Sequence, residues 1–259
     1  MEEDVASAAH ALNVRSSAAR ASLGATDRGA GLDFVRDTLM GKKADFSDKS
    51  DTPRLGMCGC LTLAYYQPYF DVDTADIQVR LSRALLPFKK EPRFAELALT
   101  APDAYGPFWL STTLVFCLAS CSNAASFLDY AGDASEWAYD FSRLASALTL
   151  VEVFLVGLPV LVWLVGKYLN IPMTLLFLMC LYGYSVAIFI PASIACVIPL
   201  DAVDWVGLLL AMAWSLYFVL SNLWTVISEH LSKEKMLPVL ALISATHLVW
   251  AALMKLLFF

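Results

Sequence analysis

The second half of the chain is built from five long stretches almost free of charge. Pro107–Phe127, Pro172–Pro199, Trp205–Ser228 and Met236–Met254 contain no Asp, Glu, Lys or Arg, and Leu144–Gly166 contains only Glu152. An apolar end continues past Lys255 to about residue 258. A helix needs about 20 apolar residues to cross the hydrocarbon core of a bilayer. In lipid every backbone polar group must be paired internally, so spanning segments are helices or closed barrels. Barrel strands alternate apolar and polar residues, whereas runs such as Leu175–Leu178 do not alternate. The expected fold class is therefore an all-α membrane protein with five transmembrane helices, at about 107–127, 144–166, 172–199, 205–228 and 236–258.

Charge sharpens the division. Residues 1–106 hold 13 of the 18 Lys/Arg and 15 of the 24 Asp/Glu. The whole chain is 59% hydrophobic and 16% charged, against about 45–50% and 25% in soluble domains. A soluble enzyme does not fit that composition. The net charge of −6 argues separately against a nucleic-acid partner. Lys and Arg near span ends mark the cytosolic side. With a cytosolic N-terminus, that side receives Lys89, Lys90, Arg93, Lys167, Lys233 and Lys235, while the other receives Arg143 and Lys255. This pattern predicts a cytosolic N-terminus and a lumenal C-terminus. The first 30 residues form no apolar signal segment, so the first span is expected to direct insertion, as in an integral protein of the secretory pathway.

Residues 1–57 are rich in Ala, Ser, Asp and Gly and poor in aromatics. Such a segment buries too little apolar surface to offset chain entropy and is expected to be a disordered cytosolic tail. Leu32, Val35, Leu39 and Met40 share one helical face within it. Residues 58–106 form a juxtamembrane region. There the aromatic cluster Tyr65-Tyr66-Gln67-Pro68-Tyr69-Phe70 precedes a short amphipathic helix over 75–87, with Thr74 as N-cap. Ile77, Leu81, Ala84 and Leu85 make its apolar face, Arg80 and Arg83 flank that face, and Pro87 ends it. The helix either lies at the membrane surface with its basic groups near anionic lipid, or packs against the membrane domain.

Two motifs stand out. The first span opens with Asp103-Ala104-Tyr105-Gly106-Pro107-Phe108-Trp109. Pro107 suits the first helical position, where no N–H is needed. Tyr105 and Trp109 suit the membrane interface. The third span carries Tyr182-Gly183-Tyr184-Ser185. Gly183 permits close helix approach, and the Tyr and Ser hydroxyls can bond between helices. With these two motifs in order, the chain resembles the Yip domain (YIPF) family of Golgi and early-secretory multi-span membrane proteins. The segment from Tyr65 to Thr74, with Leu85-Leu86-Pro87 after it, is similar to the branch containing the human YIPF one and two proteins. The resemblance covers the chain from about Ala64 onward. Ala104 stands where the family motif usually has Leu.

The resemblance implies a non-enzymatic membrane scaffold or adaptor in vesicle-mediated transport between ER and Golgi, or in Golgi maintenance. It implies Rab-type small GTPases and other Yip family members as partners, beside membrane lipid, and a Golgi membrane location. Asp103, Tyr105, Gly106, Pro107, Phe108, Trp109, Tyr182, Gly183, Tyr184 and Ser185 become the candidate partner or packing residues.

Catalytic and metal patterns are weak by comparison. Cys58-Gly59-Cys60 has no second Cys/His pair near it in sequence; its place before the amphipathic region suits palmitoylation. His247 in the last span reads as a hydrogen-bonded packing residue. Glu152 reads as structural or interfacial, about two turns into the second span. No Ser-His-Asp set or phosphate loop is recognisable, and no cofactor is expected. The alternative reading is a small transporter or channel, which usually needs several polar groups at the midplane and often an internal repeat.

Overall fold

The computed structural model describes residues 66–88, 93–133, 135–198 and 200–259. The tail helix around Leu32–Met40, the Cys58/Cys60 pair and Lys89 and Lys90 lie outside them. Every regular element among the described residues is helical. After a short 3-10 turn at Gln67–Tyr69 come α1 (Thr74–Leu85) and α2 (Phe94–Thr100). Five long apolar helices follow: α3 (Tyr105–Leu128), α4 (Ser142–Tyr168), α5 (Leu175–Ala195), α6 (Asp201–His230) and α7 (Lys233–Phe258). All five are long and apolar enough to cross a membrane, as the uncharged stretches predicted.

The boundaries moved for physical reasons. Asp201 and Asp204, read as a connection, lie in the first turn of α6, where carboxylates oppose the positive end of the helix dipole. Lys255 lies inside α7. Pro107 is the third residue of α3, after Tyr105 and Gly106; the first four N–H groups of a helix have no intrahelical partner, so it still removes nothing. The third span is shorter than 172–199, ending at Ala195. Thr74 begins α1 and Asp73 is its N-cap.

Proline shapes two spans. In α5 a 3-10 turn at Val186–Ile188 precedes Pro191. That is the turn whose carbonyls a regular helix would offer to residue 191, which has no N–H. In α4 a π turn at Val153–Gly157 comes just before Pro159. Glu152 immediately precedes this turn and is exposed on the outer surface of the bundle. It stands ten residues into α4, about 15 Å along the axis at 1.5 Å per residue, deeper than the two turns read from sequence. α4 closes on Asn170, whose φ of 58° is left-handed. The Ile171 N–H then reaches back to the Gly166 carbonyl at 2.8 Å, as in a Schellman-type stop. In the connection between α3 and α4, the Ser142 hydroxyl and N–H hold the exposed Asp140 carboxyl below its usual range.

α5 is the central helix. Of its most apolar window 61% is buried, against 33–39% for the other four. It packs against α3, α4 and α6, and also against α1 and α2. An aromatic core joins it to its neighbours. Phe154 lies 4.2 Å from Trp250 and 5.4 Å from Tyr182 between ring centroids, and His247 lies 5.2 Å from Phe154. His247 Nδ1 is 2.9 Å from the Ile243 carbonyl, so the packing reading of this histidine holds. The Trp250 indole N–H donates to the Leu150 carbonyl at 3.0 Å.

Candidate functional site

The two sequence motifs meet. A Cβ placed on Gly183 would collide with the Pro107 ring and come within 2.8 Å of Pro107 Cα. A Cβ on Gly106 would collide with the Tyr184 phenol. Each glycine is therefore a hole that the opposite motif fills, the close helix approach that small residues allow. Because Gly183 is eight residues into α5, the first two turns of α5 extend past the start of α3 by about 12 Å. α1 and α2 pack against the Leu175–Ser185 part of α5, and α1 also against its 3-10 turn.

Asp103 is the hub. It is 2% exposed and sits two residues before α3 begins. Its Oδ2 accepts from the Gly106 N–H at 2.9 Å and from the Tyr184 hydroxyl at 3.1 Å. Its Oδ1 pairs with Arg80 Nη1 and accepts from the Cys180 thiol at 3.4 Å. Arg80 also donates to the Ala101 carbonyl. One carboxylate thus ties together α1, the α2–α3 connection, α3 and α5. It stands near the N-terminal end of α3, where negative charge is favoured.

Arg80 corrects a sequence expectation. It does not flank the apolar face of α1 near anionic lipid. It is 4% exposed and points inward with Ile77, Leu81 and Ala84. The reason is electrostatic: a guanidinium buried beside a carboxylate, with both hydrogen-bonded, tolerates a dry site that neither charge tolerates alone. Spacing could have disclosed it, since Arg80 is three residues from Ile77 and four from Ala84, which puts it on their face. Cys180 was missed as well, although it stands one turn before Tyr184 on the same face of α5. α2 gave no clear signal. It is fixed by Phe94 against Tyr184 and Phe218, at 5.2 and 5.0 Å, and by the Ala95 N–H donating to Asn222 Oδ1 at 2.9 Å.

The remaining candidates divide by face. Tyr105, Phe108 and Trp109 point outward, 40%, 49% and 51% exposed. They form an aromatic chain with Phe70, which lies 6.3 Å from Phe108, and the Ala104 N–H donates to the Tyr69 carbonyl at 2.9 Å. Of the three hydroxyls in the second motif, only that of Tyr184 bonds outside its own helix, to Asp103. Ser185 donates to the Tyr182 carbonyl of its own helix at 2.7 Å, and the Tyr182 hydroxyl is buried without a partner. The expectation of inter-helix bonds from Tyr182 and Ser185 is therefore corrected. Tyr182 faces the rings of Phe154 and His247 instead.

Chemically the junction is a lock. Its acceptors are occupied by donors of the same chain, and among the described residues the Cys180 thiol meets Asp103 and Arg80. Among the described residues no group of three or more His, Cys, Asp or Glu could hold a metal ion.

Residues 85–254 match the Yip1 domain family. The chain is 38% identical over 195 residues to the Protein YIPF1 homolog of Dictyostelium discoideum, covering 75% of this chain and 55% of that protein. It is 29% identical over 126 residues to Protein YIP5 of Schizosaccharomyces pombe, covering 49% of each. The chain thus spans about half the length of the curated relatives it matches. No solved structure matches it. The family match takes in both motifs that meet at Asp103 and all but the last turn of the five apolar helices, and the chain belongs to the Yip1 domain family of membrane proteins.

Proposed function

We propose that this protein is a non-enzymatic scaffold or adaptor in vesicle-mediated transport between ER and Golgi, or in Golgi maintenance. Its partners are Rab-type small GTPases and other Yip family members, and it resides in the Golgi membrane with a cytosolic N-terminus and a lumenal C-terminus. The observation that carries this reading is the Asp103 junction within a chain of this family. Buried hydrogen bonds dock α1 and α2 on the five-helix bundle as a fixed platform, and its polar groups serve assembly rather than a reaction. Orientation is supported by the excess of Lys and Arg near the span ends on the N-terminal side.

The test uses the full chain in detergent with a panel of prenylated Rab GTPases. Wild type is expected to retain at least one of them, and Tyr105→Ala, which alters an outward aromatic, is expected to weaken retention without unfolding. No GTPase above background would remove the adaptor mechanism. A cytosol-exposed C-terminal tag would remove the orientation, and a plasma-membrane or mitochondrial location would remove the Golgi assignment.

A further inference from the structure

The buried charged groups of the bundle find partners within the chain. At one end Arg80 pairs with Asp103. At the other, Lys255 donates to Asp204 Oδ2 at 2.8 Å and to Asp201 Oδ1 at 3.1 Å, beside a cavity of about 320 Å³ lined in part by Ser122 and Asp204. Glu152 breaks this pattern. Among the described residues it has no salt bridge and no side-chain hydrogen bond, and it faces outward from α4. It stands about 15 Å from the start of that helix at Ser142 and about 24 Å from its end at Tyr168. A glutamate side chain is too short to carry its carboxyl to either membrane interface from there. The uncharged stretches of the other four spans hold no Lys or Arg, so no neighbouring helix offers a cation at that depth. An ionisable group within a span is costly against lipid, and such groups pair with one another or face protein.

The same face of α4 suits close approach. Ala145 and Thr149 lie seven and three residues before Glu152, on its side of the helix, and all three are exposed. The Thr149 hydroxyl donates to the Ala145 carbonyl at 2.9 Å, which leaves two small side chains that let a second backbone come near. Two copies inserted with the same orientation close about a two-fold axis along the membrane normal. α4 then meets α4 in parallel, with every residue at the depth of its own counterpart, and Glu152 faces the Glu152 of the second copy. A neutral carboxyl carries one O–H donor and one carbonyl acceptor, so two of them form a reciprocal pair and no charge is left in the hydrocarbon. The geometry points to a homodimer in the membrane, formed by α4 of two copies, with the Glu152 carboxyls paired at the two-fold axis.

The test follows energy transfer between donor-labelled and acceptor-labelled full chains in phosphatidylcholine vesicles as the protein-to-lipid ratio is varied. Wild type is expected to pair. Glu152→Gln keeps a donor and an acceptor and should pair as wild type does. Glu152→Leu keeps neither and should weaken pairing about tenfold or more, the worth of one or two hydrogen bonds between membrane helices. Ala145→Phe blocks close approach on the same face and should weaken pairing as far, at an unchanged thermal midpoint in detergent because the side chain points outward. Wild type that stays monomeric at every ratio overturns the dimer. Pairing that survives Glu152→Leu overturns the carboxyl contact, and pairing that survives Ala145→Phe overturns the α4 face. A loss in Glu152→Gln as large as in Glu152→Leu overturns the reciprocal pair and leaves a cationic partner in its place. Retention of GTPases enters none of these outcomes, so the dimer and the adaptor role fail separately.

Discussion

The two ends of the bundle use the same chemical pair, a buried cation beside an aspartate, to opposite effect. At the Asp103 end the cation comes from outside the spans, on α1, and four donors converge on the two carboxylate oxygens. At the Lys255 end the cation comes from within a span, and one oxygen of Asp204 is buried without a hydrogen-bond partner. The first arrangement is a closed lock between segments distant in sequence. The second is open. The difference lies in how many donors each carboxylate meets, because a satisfied buried ion pair holds parts together while an unsatisfied acceptor calls for another group.

This contrast sets an order of effects. Arg80→Met leaves Asp103 buried without its cation and should cost about 3–5 kcal/mol, read as a lowered thermal midpoint of the purified full chain by tryptophan fluorescence. Lys255→Met should cost less, about 1–3 kcal/mol, because the space the ammonium vacates beside the cavity lets water reach the freed Asp204 Oδ2. Equal losses for these two variants would break the distinction between a closed and an open end. Gly183→Ala drives a methyl group into Pro107 and should cost about 1–3 kcal/mol, with α1 becoming more sensitive to protease if the junction loosens as a unit. Unchanged stability in that variant would show that α3 and α5 can separate freely. Trp109→Ala, on the outward face of the same motif, should stay within about 0.5 kcal/mol, so a loss of partner retention there would report recognition rather than folding.

Much of the fold was legible because its signal is local. A run of uncharged residues has no other stable place than a membrane helix, and α3 to α7 appear where those runs stand. Gly183 was legible too, since a residue without a Cβ announces a close approach, whereas Gly106 read as a sharp entry into the span and its fit against Tyr184 was not foreseen. Which surface approaches was not legible. Gly183 says that something packs there, but only the folded chain shows Pro107. Arg80 was misread for a related reason. Its face was fixed by helical period, yet a charge on an apolar stripe makes sense only when its partner is known, and Asp103 lies 23 residues away. Glu152 shows the converse. Its place in the span was readable, whereas its outward direction depends on how α4 packs.

Sequence by itself determined the five spans, the polar region before them and the two motifs that mark the family. Each is a property of composition and short-range period, which no neighbour can alter. Tertiary structure alone decided that the two motifs are halves of one junction, that α1 is latched by a buried ion pair rather than laid on lipid, and that Asp204 is buried beside Lys255 with an oxygen unpaired. Those facts depend on which donors reach which acceptors across the bundle, and a buried polar group takes its meaning from the partner that desolvation obliges it to find.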